Sequence, residues 1–380
     1  MKWETVSLGD VLHSIIGGGT PSKSKSEYWN GDIFWCSVKD MEDDKHYLSY
    51  TKDTITKKGL ENSSANLIKA GTVITSTRMG LGRAFINKVD MAINQDLKAL
   101  IPNERIDNRF LLWTILSKRN ELNMLGRGST VKGITLDILK SIEISLPPLI
   151  VQRRIADILS AYDDLIDNNQ KQIKLLEEAA MRLYKEWFVN LRFPGYENTK
   201  IVDGVPEGWE YKEVGSLISK TPRTKQVKKS EYNNSGEIPI IDQSREFIAG
   251  YTDDRETIVD LGVPVIVFGD HTRILKLINF PFAKGADGTQ LIVSGVEEMP
   301  QHLLYCSLLN IDLSNYHYAR HFKYLKASKI IVPTKNISEE FESIVEIYFK
   351  VIQILRDKIF LLQKSRDFLL PKLMNGEIEV

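Results

Sequence analysis

The sequence predicts an α+β chain: two mixed α/β units in tandem repeat, separated by two long helices that pair as an antiparallel coiled coil. Three observations predict it. Residue matches recur in the same order across the two halves, each half closes with an unbroken three-four apolar repeat, and the segments before those repeats alternate short β-rich runs with Gly/Asn/Asp turns.

The repeat comes first, because it decides architecture. Trp3-Glu4 with Val6 and Leu8 is echoed by Trp209-Glu210 with Val214 and Leu217. Ser26-Glu27-Tyr28-Trp29-Asn30-Gly31-Asp32-Ile33 returns as Ser230-Glu231-Tyr232-Asn233-Asn234-Ser235-Gly236-Glu237-Ile238. Phe110-Leu111-Leu112-Trp113 matches His302-Leu303-Leu304-Tyr305, and Leu139-Lys140-Ser141 before Pro147 matches Leu325-Lys326-Ala327 before Pro333. The offset falls from 206 at Trp3/Trp209 to 186 at Pro147/Pro333, so the second unit is 20 residues shorter in its middle.

The globular units read as mixed α/β. Gly71–Thr75 and Val263–Val267 are β-rich; Phe110–Leu122 and Gln301–Leu309 read as one helix each; Ile142–Leu146 and Lys329–Val332 read as closing strands. From Pro147 the first helix carries a seam of Ile155, Leu159, Tyr162, Ile166, Asn169, Ile173, Leu176, Ala180, Leu183 and Trp187. At the constant offset, the second carries Phe341, Val345, Tyr348, Ile352, Leu355, Ile359, Leu362, Arg366, Leu369 and Leu373. Ile155 to Trp187 spans about 48 Å at ~1.5 Å per residue. Matched seams of equal phase favour pairing, and connectivity favours an antiparallel pair; the competing fate is for each stripe to pack on its own globular unit. Asn169 is the one polar residue of the first seam, either a register device or a hydrated position. Phe193-Pro194-Gly195 stops the first helix. The expected division is residues 1–146 and 207–333 for the globular units, 147–192 and 334–376 for the helices, and 193–206 for a linker.

Composition narrows the function. The 380 residues are 42% hydrophobic and 26% charged, ordinary globular values, with 50 basic against 50 acidic side chains. Two cysteines support no disulfide framework and suit a reducing compartment. Neither a signal peptide nor a membrane span is evident, so a cytoplasmic protein is expected. There is no Gly-Lys-Ser/Thr phosphate loop, no Asn/Asp-Pro-Pro-Tyr/Phe segment, no metal-ligand spacing among the six histidines and no nuclease carboxylate cluster. No catalytic or metal-binding residue is expected.

What remains is a set of loops with the composition of phosphate and base contacts. In the first unit these are Thr20-Pro21-Ser22-Lys23-Ser24-Lys25, Ser76-Thr77-Arg78 with Arg83, Asn94-Gln95, and Arg127-Gly128-Ser129-Thr130 with Lys132. In the second they are Thr221-Pro222-Arg223-Thr224-Lys225, Gln243-Ser244-Arg245, His271-Thr272-Arg273, Gln290, and Arg320-His321 with Lys323. The first unit carries twenty basic and seventeen acidic side chains over residues 1–146, the second sixteen and eighteen over 193–333. A protein that gripped DNA alone would carry more positive charge, so a reader that relies on partners to clamp the duplex is expected. A coiled-coil scaffold whose globular ends bind proteins is the alternative.

Several segments taken in order resemble the specificity (S) subunit of type I restriction-modification systems. They are Gly18-Gly19-Thr20-Pro21-Ser22, then Tyr28-Trp29-Asn30-Gly31-Asp32-Ile33, Arg127-Gly128-Ser129-Thr130, Leu146-Pro147-Pro148-Leu149 with Gln152-Arg153-Arg154-Ile155-Ala156, and the closing Leu369-Leu370-Pro371-Lys372-Leu373-Met374-Asn375-Gly376-Glu377-Ile378. Gly269-Asp270-His271-Thr272-Arg273 and Gly285-Ala286-Asp287-Gly288-Thr289-Gln290 resemble segments of second recognition domains; the second half lacks the glycine run and the Gly-Ser-Thr tripeptide. The resemblance implies a non-catalytic chain with two target recognition domains, each reading half of an interrupted double-stranded DNA site. It implies modification subunits, two of them expected, that bind S-adenosylmethionine and methylate adenine, and restriction subunits that use ATP and magnesium. This chain would bind no cofactor itself.

Overall fold

The computed structural model describes residues 3–128, 132–285, 287–315 and 320–380. Two compact units divide the chain, residues 1–169 with 358–380 and residues 170–357. Each therefore holds one globular head and a part of both long helices, Leu149–Tyr184 and Lys335–Met374.

In the first unit the strand Glu4–Ser7 pairs antiparallel with Glu143–Leu146, Glu4 opposite Leu146. A five-stranded sheet runs in the order Leu12–Gly17, Leu97–Pro102, Val73–Ser76, Ala84–Asn87, Tyr47–Leu48. A four-stranded sheet places Trp29–Cys36 between Asp53–Ile55 and Met91–Ile93, with Leu67–Ile68 at its edge. The expected helix Phe110–Leu122 is two helices, Asn108–Ser117 and Arg119–Leu125, broken at Lys118. The first of them is capped by Asp107, whose side chain accepts from the N–H groups of Arg109 and Phe110. Phe110 and Trp113 on that helix are fully buried beside Ile155 and Leu159 of the first long helix and Leu373 of the second.

The second unit repeats the closing pair. Glu210–Glu213 runs antiparallel to Lys329–Val332 with Glu210 opposite Val332. Glu4 and Glu210 are 206 residues apart, Leu146 and Val332 are 186 apart, and the register is the same. Both offsets read from the sequence thus recur in the strand pairing. Leu275–Ile278, Val265–Gly269 and Thr289–Ile292 form a three-stranded sheet, and Ile238–Ile241 pairs parallel with Phe282–Gly285 as Phe34–Cys36 does with Met91–Ile93. The edge strand Leu12–Gly17 has only a single bridge as its counterpart, Ile218 with Ser294. Among the described residues the strand Tyr47–Leu48 at the opposite edge also has no counterpart in the three-stranded sheet.

The segment 193–206, read as a linker, is mostly exposed, carries a short hairpin and is anchored at both ends. Its tight hairpin pairs Ile201–Val202 with Val205–Pro206 across Asp203-Gly204, both residues at positive φ. Phe193 packs against Trp209 in a tilted ring pair, centroids 4.6 Å apart, and Phe193, Val205 and Trp209 are buried in the core of the second unit.

Within each unit the long helices pair antiparallel. In the second, Glu177 meets Arg356 and Trp187 meets Phe341; in the first, Asp163 meets Arg366 while Ile155 and Leu159 share a cluster with Leu373. Every seam residue is buried or half-buried. The two fates set against each other above coexist: Ile155 and Leu159 belong to the first head's core, and Trp187, Phe341, Val345 and Ile352 to the second's. The first helix leaves its α geometry through a π turn, Lys185–Val189, which lets the consecutive rings of Trp187 and Phe188 both point inward.

Candidate nucleic-acid interface

In the first unit the sheet register brings separate loops to one end. Gly17 lies opposite Lys98 and Leu97 opposite Ser76, so the loops following Gly17 and Ser76 and the loop preceding Leu97 leave the sheet on the same side. Gly18 and Gly19 make this possible by their lack of a side chain. A Cβ on Gly18 would stand 2.0 Å from the Ile93 carbonyl oxygen, and one on Gly19 would stand 2.0 Å from Ser64 Oγ. The Gly19 carbonyl accepts from the buried Trp35 Nε1 at 2.9 Å. Beyond it, Thr20 Oγ1 donates to Gln95 Oε1 at 2.6 Å, and exposed Ser22 accepts from Trp29 Nε1 at its carbonyl.

The connection Thr77–Arg83 stands beside these. Arg78 pairs in a backbone bridge with Gly133, as does Arg127, so the three segments adjoin. The exposed Arg78 guanidinium lies 3.7 Å from Asp96. Ser22, Lys23, Arg78, Gln95, Arg127 and Lys132 are all exposed. Two of the expected contacts are otherwise engaged. Arg83 turns back onto Asp43 at 2.6 Å, and Lys25 donates to Tyr28 Oη at 3.0 Å, a bond that holds its ammonium above the usual lysine range. Ser129 and Thr130 lie outside the described residues.

The second unit makes an equivalent convergence with different residues. Gly269 pairs with Thr289, so the turn after Gly269 and the loop before Thr289 share one end of the sheet. Gln243 is its hub: its Nε2 donates to the Asp287 carbonyl at 2.9 Å, its Oε1 accepts from the His271 N–H at 3.1 Å, and its carbonyl accepts from Thr272 Oγ1 at 2.7 Å. Arg273, at positive φ, donates to the Leu313 carbonyl at 2.9 Å. The Asp270 carbonyl and carboxylate hold the backbone of His321 and Phe322, which brings the exposed Arg320 and Lys323 beside the turn. Gln290 is half-exposed on the strand.

Not every expected contact joins this cluster. Lys225 is held between Asp254 at 2.7 Å and Glu256 at 2.9 Å, two bonds that raise its pKa. Thr221 and Arg223 lie in the irregular segment before it, with Arg223 exposed. Arg245 is exposed one residue beyond Ser244.

Sequence reasoning missed a supporting residue. Lys276 is buried, and its Nζ donates to the carbonyls of Asp242 and Glu246, pinning the loop that carries Gln243 and Arg245. Burial lowers its pKa to about 8 despite the nearby Asp242 and Glu246. A lysine inside an alternating strand, Leu275-Lys276-Leu277-Ile278, was the available signal.

Among the described residues no group of three His, Cys, Asp or Glu side chains is placed to hold a metal ion. Exposed hydroxyls, amides and guanidinium groups on rigid loops are suited to recognition of a polar surface. Among the described residues no helix is long and apolar enough to cross a membrane.

Residues 1–178 match the type I restriction modification DNA specificity domain. Over its full length the chain is 28% identical to the type I restriction enzyme MjaIX specificity subunit of Methanocaldococcus jannaschii, covering 94% of that protein. It is 33% identical to the EcoR124I/EcoR124II specificity subunit of Escherichia coli over 51% of this chain and 48% of that one. A crystal structure of a type I restriction-modification system S subunit from M. genitalium shares the fold, with a TM-score of 0.59 and 14% identity across 98% of this chain and 96% of that one. With its repeated heads, its paired helices and these matches, the chain is similar to type I restriction-modification specificity subunits and shares the fold of a solved S subunit.

Proposed function

We propose that this chain reads an interrupted, two-part double-stranded DNA site, with residues 1–146 contacting one half-site and residues 207–333 the other. The observation that carries this reading is the repeated convergence of exposed polar loops at one end of a sheet, around Thr20, Arg78 and Gln95 in one unit and Gln243, His271 and Thr272 in the other. Cations and hydroxyls such as Lys23, Ser22, Lys132, Lys323 and Arg320 position the duplex through phosphates. Arg78, Arg127, Gln95, Arg273 and Gln290 reach base edges. Because the heads carry little net charge, tight binding depends on modification subunits that close on the DNA and supply S-adenosylmethionine-dependent adenine methylation. Restriction subunits, with ATP and magnesium, join through them, and the assembly works in the cytoplasm.

The test is exchange of residues 1–146 for the corresponding domain of another specificity subunit, followed by methylation mapping in cells that supply the modification subunits. The expected result is a site with one half replaced and the other retained. An unchanged site, or no sequence-specific methylation by the parent chain, contradicts the proposal.

A further inference from the structure

The connection Thr77–Arg83 contains three residues at positive φ: Gly80, Gly82 and Met79, at 107°, 76° and 58°. Glycine is the ordinary occupant of such positions. Methionine there carries backbone strain, and the surroundings hold it in place. The Met79 N–H points to the Lys132 carbonyl at 3.4 Å, Ser76 Oγ donates to the Arg78 carbonyl, and the Arg83 N–H closes the turn on the Gly80 carbonyl at 3.1 Å. The strained residue also leaves a large apolar side chain 55% exposed. Two features that oppose stability therefore meet at one position, directly beside Arg78 and against the segment that carries Arg127 and Lys132.

We infer that Met79 is a specificity-determining residue, its thioether side chain packing against the 5-methyl group of a thymine in the half-site read by the first unit. This rests on the DNA-reading function proposed above. Met79 follows Arg78 and lies against the segment that carries Lys132, and an apolar side chain next to such hydrogen-bonding ones matches the thymine edge, which offers a methyl group beside an acceptor in the major groove. The turn is braced by hydrogen bonds, so the backbone that carries the side chain is already ordered before it meets the base.

The experiment uses the full chain assembled with its modification subunits and duplexes carrying the mapped site. Each thymine of the half-site that changes on exchange of residues 1–146 is replaced in turn by uracil, which lacks only the 5-methyl group. The parent complex is expected to lose roughly fourfold in affinity at one such position, the effect of burying one methyl group. Met79→Ala abolishes the loss there, and both proteins respond alike to uracil in the other half-site. Met79→Asn, which suits the left-handed backbone, melts no lower than the parent chain yet also loses the thymine preference. A uracil penalty that survives Met79→Ala, equal weakening on thymine and uracil duplexes, or a half-site without thymine overturns the inference. A parent complex with no sequence-specific methylation refutes the DNA-reading function itself.

Discussion

Arg366 places its Nη1 2.7 Å from Asp163 Oδ1, and the other oxygen of that carboxylate lies 2.7 Å from His46 Nδ1, all three side chains being buried within the first unit. One carboxylate thus joins both long helices to the head. His46 packs edge-on against Trp113 at 4.9 Å, and Arg366 also pairs with Asp367 at 2.9 Å. Burial disfavours the Arg366 charge, but Asp163 and Asp367 outweigh it and hold the guanidinium above its ordinary pKa. A charged residue at a seam position is tolerated because its partner sits opposite on the paired helix.

Asp163→Ala leaves Arg366 buried without its principal partner. The expected loss is about 3 kcal/mol in urea unfolding of the full chain, and Asp163→Ala with Arg366→Met recovers most of it, since an apolar pair of similar size removes the stranded charge. A single-variant loss below about 1 kcal/mol would show that Asp367 and solvent suffice.

Glu342 performs in the second unit a task that Asp107 performs in the first. Pro300 stands at the N-cap of Gln301–Leu309 and offers no side-chain acceptor, whereas Glu342, reaching in from the second long helix, accepts from the N–H groups of His302 at 3.3 Å and Leu303 at 3.2 Å and meets His302 Nδ1 at 2.6 Å. Glu342→Ala is expected to cost about 2 kcal/mol and Glu342→Gln about half as much, because the amide keeps one acceptor. Equal losses from both variants would place the effect in the negative charge.

The glycine run gives a steric prediction. Gly18→Ala or Gly19→Ala destabilises the chain by about 2–3 kcal/mol, because each methyl group meets an oxygen at 2.0 Å. Gly17→Ala, whose Cβ would rest 3.9 Å from the flexible Lys98 side chain, is near neutral. Thermal unfolding of the three variants separates close packing from a general need for flexibility.

Lys276 gives a pH dependence. With its folded pKa near 8 and an unfolded value near 10.5, the native chain binds fewer protons between these limits, so its stability relative to Lys276→Met rises as the pH climbs from about 8 to about 10.5. Below pH 8 both states are charged and the burial penalty is fully present. The full difference is of order 3 kcal/mol. A flat difference in unfolding free energy across that range would show that Lys276 stays protonated.

The repeat and the long helices were legible because they are periodic: the offsets of 206 and 186 reappear in the strand registers, and the three-four seams are covered throughout. Several features were not legible. The break at Lys118 lies in the polar run Ser117-Lys118-Arg119-Asn120-Glu121, which has no glycine or proline to mark it, and the hairpin at Asp203-Gly204 hid in a segment marked by helix-breaking residues. The loops at the interface were identified by composition, but their grouping depends on which strand ends are neighbours. Thus Arg83 and Lys225, basic in the sequence, are drawn onto Asp43 and Asp254, whereas Lys276 and Met79 acquire their importance from burial and backbone geometry alone. The pairing of Asp163 with Arg366 crosses 203 residues.

In the proposed function each unit reads its own half of the DNA site. The most direct measurement of this is a map of base preference at every site position for two variants of the complex, Arg78→Ala with Gln95→Ala and Gln243→Ala with His271→Ala. The expected outcome is relaxed preference confined to one half-site by the first variant and to the other half-site by the second. Relaxation of both halves by either variant, or of neither by both, would contradict it.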